Sequence, residues 1–148
     1  MYFVDREQIE AKLNFLDQKI NQFENQTSWS SEIEKAALER ISHMFIETII
    51  DVGNAMIDGF IMRDPGSYED IIDILLDEKV VNDKNSKDLK QIILLRKKLV
   101  QDYLEVNHQE LITTISSHKL GLASFTYDVR TYLENELGPV SAFKPLNK

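Results

Sequence analysis

The sequence has 148 residues, a formal charge of −8, 43% hydrophobic and 28% charged residues, five Gly, three Pro and no Cys, which fits one soluble globular domain able to bury roughly two thirds of its unfolded surface. The lack of cysteine excludes a disulfide framework, a thiolate nucleophile and any Cys-containing zinc site, and the acidic balance argues against a broad coat on nucleic acid while leaving room for a small basic cleft. No apolar run approaches the roughly 20 residues that span a bilayer, and Asp5, Arg6 and Glu7 stand where a secretory signal needs an apolar stretch, so the expectation is a cytoplasmic protein without membrane association.

Sparse Gly and Pro, scattered β-branched residues and long 3.6-period stretches predict an all-α chain. Ile9, Leu13, Leu16, Ile20 and Phe23 form one apolar stripe on a helix from about Asp5 to Glu24. Ser31 followed by Glu34 is a capping box, so a second helix starts there. It carries Ile33, Ala37, Ile41, Phe45, Ile49, Val52 and Met56 to about Gly59 or beyond, with Gly53 allowing a close helix contact. Asp64-Pro65-Gly66 is a turn, and Ser67 caps a short helix through Ile71, Ile72, Ile74 and Leu75. After a polar break at 82–86, Leu89, Ile92, Ile93, Leu95, Leu99 and Val100 mark a fourth helix running to about Tyr103. Asn107 can restart the chain, and Leu111, Ile115, Leu122, Phe125, Val129, Tyr132 and Leu137 form a last stripe ended by Gly138-Pro139. The expected architecture is an antiparallel helical bundle, four helices plus a short one, over residues 1–138, with a tail over 139–148.

The chain has no Walker loop, no Gly-rich dinucleotide turn, no H-E-x-x-H and no G-x-S-x-G. His43, His108 and His118 have no metal-ligand spacing and read mainly as structural or surface residues. Carboxylates gather at Asp64, Glu69, Asp70, Asp73, Asp77 and Glu78. Such a cluster could bind metal, but Asp70, Asp73 and Asp77 fall opposite Ile71, Ile74 and Leu75 as a solvated face should, so neither metal nor cofactor is expected. The concentrated basic stretch is Arg96-Lys97-Lys98, preceded by Lys84, Lys87 and Lys90 and followed by Gln101 and Tyr103. Taken alone it reads as a solvated helix face.

The spacing Arg96-x4-Gln101-x-Tyr103 resembles the Arg-x4-His-x-Tyr signature of HepT-like toxins in the HEPN (higher eukaryotes and prokaryotes nucleotide-binding) superfamily. Residues 53–59, 64–71 and 75–81 resemble the same family's central region, and the two ends, 1–6 and 136–144, resemble its YutE-like subgroup, so the likeness runs along nearly the whole chain. The resemblance implies a HEPN-type bundle that forms a homodimer, with both signatures facing a shared cleft, and a metal-independent endoribonuclease acting on RNA, a tRNA or an mRNA. It also implies a toxin role beside a nucleotidyltransferase antitoxin. Arg96 would stabilise charge on the scissile phosphate, Gln101 stands at the proton-carrier position, and Tyr103 would be the catalytic tyrosine that the antitoxin modifies with AMP. Lys97 and Lys98 would add phosphate contacts.

The signature departs from the family at Gln101, whose amide exchanges hydrogen bonds but carries no proton near pH 7. Proton transfer is typically worth about 10² to 10⁴ in rate, so the expected activity is weak or lost. His108, seven positions further on, would sit roughly 10 Å along a continuous helix, out of reach unless the chain breaks near Val106-Asn107. His43 could substitute only if its face lines the same cleft. On one straight helix Arg96 and Gln101 would point about 140° apart, so either the helix distorts or two chains contribute. Arg63, ahead of the Ser67 cap, is either a second phosphate contact or a surface loop arginine. The rival function is a non-catalytic nucleotide- or RNA-binding, or protein-interaction, dimer in which Arg96, Lys97 and Lys98 hold a phosphate.

Overall fold

Six helices succeed one another along residues 3–139, the part of the chain that the computed structural model describes. They are α1 (Arg6–Asn25), α2 (Glu32–Gly59), α3 (Tyr68–Asp77), α4 (Asp83–Ile93), α5 (Arg96–Val100) and α6 (His108–Leu137), and no strand occurs among the described residues. The tail expected over 139–148 lies outside the described residues beyond Pro139.

Local chemistry sets most of the boundaries. The side chains of Asp5, Ser31, Ser67, Asn82 and Asn107 each accept a hydrogen bond from the backbone N–H three residues on, satisfying an orphan donor at a helix start. At Ser31 the Glu34 carboxylate also accepts from the Ser31 N–H at 2.9 Å, which completes the box read from sequence. α2 ends in a left-handed turn at Ile61, φ 57°, with the Met62 N–H returning to the Ile57 carbonyl.

α1, α2 and α6 pack on one another, and α3 and α4 close the remaining side, α3 against α2 and α4 against α6. Ile9, Leu13 and Leu16 of α1, Phe45, Ile49 and Met56 of α2, Ile72 and Leu75 of α3, Leu89 and Ile92 of α4, and Leu122, Phe125 and Val129 of α6 are almost wholly buried in one apolar cluster. Burying such a side chain is worth about 1.5–3 kcal/mol, so this cluster drives folding. A Cβ at Gly53 would overlap the Cγ2 methyl of Ile71, so the glycine does admit α3 close to α2.

Two expectations need correction. Ile33 is 81% exposed and Ala37 is exposed too, because the first turns of α2 run past the helices that cover Leu38, Ile41 and Phe45. There the stripe borders an open groove with Trp29 and Arg40. The second correction bears on function: the fourth helix does not continue to Tyr103. At Leu94-Leu95 the backbone tightens, the Leu95 N–H bonding the Ile92 carbonyl three residues back at 3.1 Å. A three-residue step eclipses Leu95 on Ile92 and keeps it buried, whereas an unbroken α-helix would swing it outward. α5 then runs for five residues and stops at Val100, followed by a turn over 101–105.

Charged ties join the helix edges. The Arg130 guanidinium of α6 donates to Glu10, Asn14 and Asp17 along one face of α1, the shortest bond being 2.8 Å to Glu10 Oε2. His108 meets Glu39 at 2.7 Å, and His118 Nδ1 meets Asp88 at 2.8 Å. Asp88 also accepts from the Gly121 N–H at 3.1 Å, drawing α4 so close to α6 that a Cβ on Gly121 would overlap the Asp88 Cβ. Alanine ordinarily favours a helix by about 1 kcal/mol over glycine. Gly121→Ala should nevertheless destabilise the chain by about 1–3 kcal/mol, because two helix backbones must move apart. Urea unfolding of the variant beside wild type checks the sign.

Candidate active site around Arg96

Because Leu95 is held in the core, its neighbour Arg96 leaves the bundle at the boundary between α5 and α2. Its Nε donates to Glu47 Oε2 at 2.9 Å, and its guanidinium carbon lies 4.6 Å from the centre of the Tyr68 ring, the first residue of α3. An arginine fixed at its edge by a carboxylate and on its face by an aromatic ring has lost most of its rotamer freedom before any ligand arrives. The hydrogen bond to Glu47 is also the main cause of the upward shift in the pKa of Arg96, so the group stays cationic. Nη1 and Nη2 have no hydrogen-bond partner among the described residues, and a quarter of the side chain is exposed. Such a fork suits two phosphate oxygens.

Glu47 Oε2 serves a second neighbour. His43, one turn earlier on α2, brings its Nε2 to 3.8 Å of the same oxygen, with a third of each side chain exposed. The face of α2 that carries His43 therefore lines the surface at which Arg96 emerges. The other two histidines are placed differently, being held against Glu39 and Asp88 at hydrogen-bond distance.

The remaining signature residues lie on the turn after α5. Gln101 is its exposed C-cap, bonded through its backbone N–H to the Lys97 carbonyl at 2.9 Å. Tyr103 is 63% exposed. No hydrogen bond, ion pair or ring contact joins Arg96 to either of them within the described residues. The helix thus ends at Val100, between Arg96 and Gln101, which is the first of the two alternatives left by the spacing, and Arg96, Gln101 and Tyr103 do not form a closed constellation within one chain. Lys97 is exposed and has no ion-pair partner among the described residues, whereas Lys98 is tied to Glu110 of α6.

Arg63 is already engaged. Its Nη1 and Nη2 donate to the two oxygens of Asp70 at 2.7 and 2.9 Å, with Asp77 at 3.8 Å. Asp70 also accepts from the Gly66 N–H at 2.8 Å, so the pair straps the 63–67 turn onto the first turn of α3. Asp73 pairs with Lys90 of α4. The carboxylate face read from sequence as solvated is therefore largely bonded to cations, and among the described residues no group of three or more His, Asp or Glu side chains is arranged to hold a metal ion. Sequence reasoning missed Glu47 and Tyr68. Neither belongs to a motif, and their role arises only when α2 and α3 pack against α5.

The strap makes an acid-side prediction. The hydrogen bonds from Arg63 and then from Gly66 hold the Asp70 carboxyl at about 2, below its ordinary 3.8. A carboxylate whose pKa is depressed in the folded chain contributes stability that is fully present above the unfolded value and is lost as pH falls through the folded one. Between pH of about 4 and about 2, wild type should therefore lose stability more steeply than Asp70→Asn, which lacks the titrating group. Urea midpoints measured across that window for both proteins check it; parallel profiles would contradict the assignment.

With this geometry in view, comparison with known proteins places the chain. A family described as ribonuclease HepT-like matches residues 7–129. A Bacillus subtilis protein named "Putative RNase YutE" is 56% identical over 144 residues, covering 97% of this chain and all of that one. The solved structure of that B. subtilis YutE, described there as a cytosolic protein of unknown function, superposes with a TM-score of 0.93 over 97% of this chain and 100% of that chain. More distant in sequence, at 18 and 19% identity, are a toxin–antitoxin complex with AMP-PNP, TM-score 0.71, and a tri-AMPylated HEPN toxin of Shewanella oneidensis in complex with an MNT antitoxin, TM-score 0.70. Each covers 84% of this chain, and 96% and 95% of their own chains are matched. The family match and the close relative show that the chain belongs to the HepT-like ribonuclease family, and the solved structures show that it has the fold of HEPN toxins.

Proposed function

We propose that the chain is a metal-independent endoribonuclease of low intrinsic rate, the toxin component of a pair whose antitoxin is a nucleotidyltransferase, and that it works as a homodimer whose cleft receives both signatures. The observation that carries the reading is the state of Arg96, held by Glu47 through Nε and by Tyr68 across its face while both Nη atoms point to no partner among the described residues. Preorganised cations of this kind act where charge develops in a transition state. Two non-bridging oxygens of a phosphodiester would take the fork as the internal ribose 2′-hydroxyl attacks phosphorus, and the products would be a 2′,3′-cyclic phosphate and a 5′-hydroxyl. Lys97 supports the incoming backbone as an exposed cation. Lys98 and Arg63 reach phosphate only by leaving Glu110 and Asp70, so their contribution is smaller.

Gln101, exposed at the end of α5, can orient the substrate through its amide but cannot carry a proton. That substitution is the reason for the low rate. Tyr103, with an accessible phenol on the 101–105 turn, is the proposed acceptor of AMP, a role supported by the likeness to a tri-AMPylated toxin. The same substitution at Gln101 favours a second reading, a non-catalytic dimer that binds RNA or a nucleotide through Arg96 and Lys97.

Cleavage of a mixed tRNA pool in EDTA, with end-group analysis, separates the two. Wild type should cut slowly and leave cyclic phosphates, Arg96→Ala should abolish the cut, and Gln101→His should raise the rate by about 10²-fold or more. A wild type and a Gln101→His variant that both remain silent would leave the binding reading.

A further inference from the structure

The ribonuclease reading leaves one chemical task without a residue. Transesterification needs a group that takes a proton from the 2′-hydroxyl and delivers one to the leaving oxygen, and Gln101 does neither. Three histidines could in principle do so, imidazole being the side chain that ordinarily titrates near neutral pH. His108 and His118 are fixed by carboxylates on other helices at 2.7 and 2.8 Å, spanning α6 to α2 and α6 to α4. His43 differs. It is partly exposed as they are, but its 3.8 Å approach to Glu47 is longer than a hydrogen bond, and among the described residues its ring nitrogens have no other partner.

Its position is the second observation. Nε2 of His43 and Nε of Arg96 both lie against the single oxygen Oε2 of Glu47. An imidazole and a guanidinium thus gather at one carboxylate, the guanidinium hydrogen-bonded to it and the imidazole 3.8 Å away.

Resting on the ribonuclease reading, we infer that His43 on α2 is the proton carrier of this site, supplying from a different helix what the signature lacks at Gln101. The neutral imidazole takes the proton of the ribose 2′-hydroxyl while the O2′ electron pair forms a bond to phosphorus. The P–O5′ bond breaks with its electron pair on O5′, and the imidazolium gives the proton to that oxygen. A 2′,3′-cyclic phosphate and a 5′-hydroxyl remain, and His43 is neutral again.

The test uses the full chain in EDTA with the same tRNA pool, together with binding of a 2′-O-methylated RNA that cannot be cut. His43→Gln keeps a hydrogen-bonding amide beside Glu47 and removes only proton transfer. It should lower the single-turnover cleavage rate by about 10²-fold or more while changing affinity for the methylated RNA less than about twofold. Adding Gln101→His to His43→Gln should restore cleavage. A His43→Gln variant that cuts at the wild-type rate overturns the inference and leaves the ribonuclease reading standing, whereas a wild type without cleavage overturns both. Equal losses of affinity and rate, or a double variant as slow as His43→Gln, would make His43 a support for Glu47 and Arg96 and so also overturn it.

Discussion

One carboxylate oxygen, Oε2 of Glu47, organises the edge of the bundle at which α2 and α5 meet. Arg96 is presented there because a core residue precedes it: Leu95 must stay buried, the backbone tightens to keep it so, and the next side chain emerges at the boundary with water. A long arginine at such a boundary would ordinarily sample many rotamers. Glu47 and Tyr68 reduce that freedom at no cost to the outer guanidinium nitrogens, so the entropic part of capturing a phosphate is spent during folding. The charged edge is therefore a consequence of the apolar core, passed on through one local distortion.

The other charged ties work at a smaller scale. Partly exposed pairs such as Arg130 with Glu10 and Asp17, or Lys90 with Asp73, contribute about 0–1 kcal/mol each, far less than the burial of a core side chain. Their value is geometric. The Arg130 fork touches three successive turns of α1 and so sets the register of α6 along it, a role that a flexible ammonium could not fill in the same way.

The fold was legible wherever the signal is local. Ser31, Ser67 and Asn107 start helices because their side chains cap N–H groups three residues away, and Gly53 announces a close contact because nothing larger fits beside Ile71. The break at Leu94-Leu95 was not legible, since Leu99 and Val100 continue the apolar pattern and only the packing of Leu95 decides against a straight helix. Ile33 misled for the related reason that periodicity marks a face but not where its covering ends. At the site, Arg96 and its companions came from family resemblance, whereas Glu47 and Tyr68 are distant in sequence and acquire meaning only through packing. His43 was tied in advance to a condition, that its face line the same cleft as the signature; what the fold adds is that it approaches Glu47, the partner of Arg96, at 3.8 Å.

The ring beneath Arg96 gives the strap between Arg63 and Asp70 a wider significance. Tyr68 is the opening residue of α3, and the turn before it is anchored by a bidentate pair and a backbone N–H that all converge on one carboxylate two residues further on. The floor of the guanidinium site is thus laid by the first residue of α3, directly behind the strapped turn. The strap and the ring therefore share one short stretch of chain, 63–70, so the segment whose Asp70 carboxyl is held down by Arg63 and Gly66 is also the one that brings Tyr68 under Arg96.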